Sequence, residues 1–121
     1  MDILKEKSFK FAVRIVRLYQ YLVENKKEFV LSKQLLRSGT AIGALQREAS
    51  QAESKADFIH KYAIAQKECN ETIYWLELLM ETEFVTKQQF ESMLVDAEEL
   101  MKMITSSIIT AKKALKTTIQ R

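Results

Sequence analysis

The chain of 121 residues contains no proline, two glycines, one cysteine and one histidine, and each scarcity removes a class of protein. Without proline, and with glycine only at 39 and 43, the usual punctuation of turns and strands is missing, while the helix-favouring Lys, Glu, Gln, Leu and Ala are plentiful. An all-α protein follows. A lone Cys69 excludes an internal disulfide and agrees with a reducing compartment. A lone His60 excludes the two Glu-x-x-His ligand pairs of a di-iron bundle, and its one acidic neighbour at helical spacing, Asp57 in DFIH, is too little for a structural zinc site. No second histidine is present to activate the serines and threonines, and Cys69 falls on an apolar helical stripe as an ordinary core thiol does. Met80, Met93, Met101 and Met103 also fall among apolar positions, as core residues. The sequence therefore predicts a protein that is not an enzyme and has no metal or cofactor.

Long apolar runs are missing too. Five of the first ten residues are charged, unlike a signal peptide, and no uncharged run exceeds the nine residues of Met103 to Ala111, far short of a membrane span. A single cytoplasmic domain spanning residues 1–121 is the expectation, large enough for one core.

What is present is charge, in bands. Residues 1–67 hold thirteen Lys or Arg against seven Asp or Glu, residues 68–99 hold one against nine, and residues 100–121 hold five against none. Such banding suits a basic surface for polyanions and, equally, contacts between basic and acidic elements.

Apolar spacing predicts four helices. Phe11, Ile15, Leu18 and Leu22 mark the first, from about Lys5 to Glu24. The second begins behind Ser32 as N-cap, carries Leu35, Ser38, Ile42, Leu45, Ala49 and Ala52, and ends near Ser54. SKAD at 54–57 reads as a capping box for the third, with Phe58, Tyr62, Ala65, Cys69, Thr72, Leu76 and Leu79 on its stripe. TKQQ at 86–89 opens the fourth, where Phe90, Leu94, Ala97, Met101, Ile104, Ile108, Ala111 and Leu115 repeat as heptads. Short links favour an antiparallel up-down-up-down four-helix bundle. Gly39 and Gly43 fall beside the apolar stripe of the second helix, where a neighbouring helix can approach closely.

Two surface features stand out on the first helix. Lys7, Lys10, Arg14 and Arg17 fall within an arc of about 80°, joined by Tyr21. Cations interleaved with an aromatic suit a phosphate backbone and a stacked base of RNA or DNA, and Lys112, Lys113, Lys116 and Arg121 extend the basic set; a solvated face is the plainer reading. The second feature is apolar excess: Phe9, Ala12, Val13, Val16, Tyr19 and Val23 widen the stripe to about half the circumference, where a bundle helix needs roughly 100°. Large exposed apolar patches mark interfaces, so self-association is expected.

The segments LLRSGTAIGALQREA (35–49) and ESKADFIHKYAIAQKECNETIYWLELL (53–79) resemble the bacterial four helix bundle protein family encoded in intervening sequences of 23S rRNA genes. The resemblance implies a ring, commonly a homopentamer. It also implies kinship with the accessory variability determinant protein of diversity-generating retroelements, a basic relative that binds nucleic acid and a reverse transcriptase, so RNA, DNA or a protein partner is the expected company. It gives weight to Arg37, Ser38, Glu48, Asp57, Phe58, Glu68, Glu71, Tyr74 and Trp75, with Arg37 expected to pair with Glu68 or Glu71. Where the family commonly has asparagine three residues before Glu48, this chain has Leu45.

Overall fold

The computed structural model describes residues 2–120, of which 118–120 by their backbone alone. It contains four helices, α1 (Ile3–Glu24), α2 (Leu31–Ser50), α3 (Lys55–Glu81) and α4 (Lys87–Gln120). Each packs on the next in sequence, and α4 closes the ring on α1. Pairings running in opposite senses define the antiparallel order: Lys7 with Glu99 and Arg14 with Asp96, Arg37 with Glu68 and Lys61 with Glu48, Gln66 with Thr105 and Cys69 with Ala97. The all-α four-helix bundle predicted from the spacing is therefore the fold, with Phe11, Ile15, Leu22, Leu35, Ile42, Leu76, Leu79, Leu100 and Ile104 sealed at its centre.

Helix ends follow local chemistry. Asp2 caps α1 by accepting from Lys5 N, which starts the helix two residues earlier than the apolar repeat indicates. At α4 the capping box is complete: Gln89 N donates to Thr86 Oγ1 at 3.0 Å and Thr86 N donates to Gln89 Oε1 at 2.8 Å. At α3, Asp57 N donates to Ser54 Oγ, while the Asp57 carboxylate reaches back one residue further, to Glu53 N. The expected Ser32 cap of α2 is corrected. Ser32 lies inside α2, and the capping group is the buried Glu28, whose carboxylate accepts from the backbone N–H groups of Val30, Leu31 and Ser32. A negative charge there satisfies orphan donors and meets the positive end of the helix dipole. Reaching that geometry requires the α1–α2 turn to pass through Lys27 at φ 53°, a left-handed residue that is not glycine. The α2 helix also ends at Ser50, four residues short of the predicted Ser54.

The two glycines have different reasons to be there. A methyl group on Gly39 would lie 2.7–2.9 Å from three side-chain atoms of Ile15, which is sealed in the core, so packing must shift to admit it. One on Gly43 would lie 3.4 Å from the Ser8 carbonyl oxygen, an ordinary contact. Close approach of α1 and α2 is thus required at Gly39 and only permitted at Gly43.

The fourth helix outruns the first. With 34 residues against 22, α4 is about 51 Å long against about 33 Å at 1.5 Å per residue. Ile3 lies beside Glu99 and Leu100, so the C-terminal turns of α4 continue with no α1 next to them. A groove of about 590 Å³ occupies that corner, lined among others by Ala49, Ala52, Lys55, Phe58, Ser107 and Ala111.

Candidate functional site

The apolar excess predicted on α1 is on the surface. Phe9 is 54% exposed, and Val13 and Val16 are each 36% exposed. These residues, with Ala12, Arg17 and Gln20, line a shallow groove of about 430 Å³ on the side of α1 turned away from the core. Phe9 also carries the Arg47 guanidinium of α2 5.5 Å from its ring centre, within cation–π range, so the patch has a cationic rim.

The basic stripe of α1 meets a different fate. It faces α4, where the acidic band lies. Lys7 pairs with Glu99 at 2.9 Å, and Lys10 pairs within its own helix with Glu6 at 3.0 Å. Arg14 binds Asp96 at 2.6 Å and adds hydrogen bonds to the Ser92 carbonyl and hydroxyl. Arg17 is exposed and makes no ion pair among the described residues. Tyr21 is half-buried against the core, where it lines a concavity with Lys26 and Phe84. The five residues share a flank, but three of the four cations are already engaged by carboxylates. Lys112, Lys113 and Lys116 are exposed and have no ion pair among the described residues. Arg121 lies outside the described residues.

The other singled-out residues form the α2–α3 seam. Arg37 holds both expected partners, Glu68 at 3.2 Å and Glu71 at 2.9 Å. Its hydrogen bond to Glu71, followed by the charge of Glu68, pushes the guanidinium pKa above its ordinary value. Beneath this pair Thr72 donates to Ser38 Oγ at 2.9 Å in the core, and Glu48 takes Lys61 at 3.3 Å. Phe58 packs on Tyr62, Tyr74 is 55% exposed, and the half-buried Trp75 packs on the core with its indole N–H enclosed and without a hydrogen-bond partner among the described residues. These contacts hold helices together. Cys69 donates to the Ala97 carbonyl, and burial pushes its thiol pKa up to about 11, the opposite of an activated nucleophile. His60 is exposed, and among the described residues no three His, Cys, Asp or Glu groups come together as a metal site. Among the described residues no helix is long and apolar enough to cross a membrane.

Two features escaped the sequence reading. Gln46 is sealed in the core, donating to Asp2 at 2.9 Å, and Phe29 and Val30 are exposed in the α1–α2 turn. A polar residue four positions after Ile42 is a weak sign of the first, and nothing in local spacing announces the second.

The chain is an all-α four-helix bundle with an apolar face exposed on α1. Residues 3–106 match the family described as 23S rRNA-intervening sequence protein, and the chain belongs to that family. It is also similar to a solved structure from Bacteroides thetaiotaomicron VPI-5482, a protein of unknown function from the S23 ribosomal protein family. The two are 59% identical with a TM-score of 0.87, over 88% of this chain and 98% of that one. No curated protein matches.

Proposed function

We propose that this chain is a non-enzymatic, cytoplasmic assembly module that joins copies of itself into a closed ring of five, and that the ring binds nucleic acid. The observation that carries the reading is the α1 face of Phe9, Val13 and Val16, apolar and exposed in the protomer. Leaving such a patch in water costs free energy in proportion to its area, which a second copy recovers by covering it. A ring closes when the face meets a different surface on the next copy by a rotation of one fifth of a turn. Five copies would repeat every cation around one axis, so a patch that is weak singly gains avidity toward a phosphate backbone.

A protein-binding scaffold is the second reading, and the α1 stripe favours it. Lys7, Lys10 and Arg14 are engaged by Glu99, Glu6 and Asp96, so much of the basic band is spent inside the protomer. Titration of labelled RNA and DNA against the assembled protein at several salt concentrations separates the two. Binding that persists near physiological salt and weakens steeply above it supports the nucleic-acid reading. Its absence gives the scaffold reading precedence.

A further inference from the structure

Of the four cations in the α1 stripe three are held by carboxylates, and Arg17 alone of them has no ion pair among the described residues. On α1 they face a helix with matching carboxylates. On α4 the last acidic residue is Glu99, and beyond it come Lys102, Lys112, Lys113 and Lys116 with no acid at all. At about 100° per residue Lys112, Lys113 and Lys116 fall within about 100° of one another, on one face of the helix. Their side chains are exposed, and no ion pair holds them among the described residues. The apolar positions Ile108 and Ala111 are buried, so this part of α4 is anchored along the flank next to the lysines.

The end of α2 and the start of α3 bring Glu53, Lys55 and Asp57 to the same end of the bundle, two carboxylates against one lysine, with Asp57 accepting from the Glu53 amide at 3.4 Å. Lys102 shares the face but has Glu98 one turn away, which sets it apart from the other three. Residues 107–121 also lie beyond the segment that matches the family.

We infer that the C-terminal turns of α4, through Lys112, Lys113 and Lys116, are the nucleic-acid-binding arm of this protein, and that the basic stripe of α1 is not. This rests on the nucleic-acid half of the proposed function and assigns it a place. Lysine ammonium groups on a rigid helical face contact phosphates as point charges and carry no base specificity, so the arm binds backbone, sequence-independently. Each phosphate contact releases condensed counterions, and three such contacts account for a roughly forty-fold loss of duplex affinity between 50 and 200 mM salt.

The test is fluorescence anisotropy with a labelled duplex and a labelled single strand, at a series of salt concentrations, on the full chain. Three proteins are compared: the parent, a Lys112→Gln/Lys113→Gln/Lys116→Gln variant, and a Lys7→Gln/Lys10→Gln control that keeps the Arg14–Asp96 pair and the groove that Arg17 lines. Circular dichroism verifies that all three remain helical. The expected result is at least a tenfold loss of affinity at low salt for the α4 variant, a log–log salt slope shallower by about two to three, and near-parent behaviour for the control. A parent that binds while the α4 variant binds equally well overturns this inference and leaves the proposed function standing. A parent that binds neither nucleic acid overturns both, as does a parent that binds only vesicles of anionic lipid.

Discussion

The two flanks of α1 are held by different physics. Toward α2 the contact is one of shape: Ile15 fills the space left by the missing Cβ of Gly39, with atoms that would stand 2.7–2.9 Å from any methyl there. Toward α4 the contact is one of charge, with Lys7 on Glu99 and Arg14 on Asp96, all four side chains well exposed. Shape contacts in a core are intolerant of added volume and indifferent to salt, whereas exposed ion pairs tolerate substitution and are screened. The same helix is thus fixed on one side and adjustable on the other, and its third, outward face carries the exposed Phe9, Val13 and Val16.

Breaking the rigid flank should have the largest effect. Gly39→Ala forces Ile15 off its position, and the expected loss is about 1–3 kcal/mol, after the gain of roughly 1 kcal/mol in helix propensity. Urea denaturation measures it, and a variant as stable as the parent would mean that the two helices separate easily. The pH dependence of the core comes next. Burial holds the Cys69 thiol pKa near 11 against an ordinary 9.0. A raised folded-state value means that the native chain keeps its proton where the unfolded chain has lost it. This contribution is therefore intact below pH 9 and is lost as pH rises from 9 through 11. Thermal melts should show that decline, and Cys69→Ala should remove the thiol's part of it, leaving the smaller share of Tyr62, whose pKa burial also raises.

Loosening the charged flank should do less. Arg14→Ala removes the Asp96 pair and the two Ser92 bonds at a site that is about 40% exposed, so the expected cost is about 1 kcal/mol or less, shrinking further in high salt. Hydrogen exchange read separately for α1 and α4 should show the seam opening more often, with the α2–α3 seam unchanged. The smallest effect, of opposite sign, is expected for Gly43→Ala. An added methyl there meets only an ordinary contact at 3.4 Å, so better helix propensity should leave stability unchanged or raised by up to about 1 kcal/mol. A large loss at 43 would erase the distinction between the glycines.

Spacing alone conveyed four helices, the Thr86–Gln89 box and the exposed apolar side of α1, because each is set by residues within a few turns of one another. The cap of α2 is not legible from residue type because Ser32 is the usual N-cap type, while the acting group is a carboxylate four residues earlier, reached through a left-handed turn at Lys27. The basic stripe was visible on its wheel, but its neutralisation depends on α4 lying beside α1, and 82 residues separate Arg14 from Asp96. The acidic band at 68–99 announced that carboxylates were in supply without saying which cations would meet them. Gln46 shows the same limit: a buried amide reads as a surface residue until the Asp2 that receives it is known.

The proposal that copies join through the outward face of α1 is tested most directly by the mass of the particle in solution. Light scattering coupled to size exclusion, at micromolar protein, should give about five times the 14.1 kDa protomer for the parent. A Val13→Glu or Val16→Glu variant, which places a carboxylate on that face without touching the core, should lower that mass while retaining its helicity. A parent that elutes as a monomer, or glutamate variants that assemble as the parent does, would contradict the account.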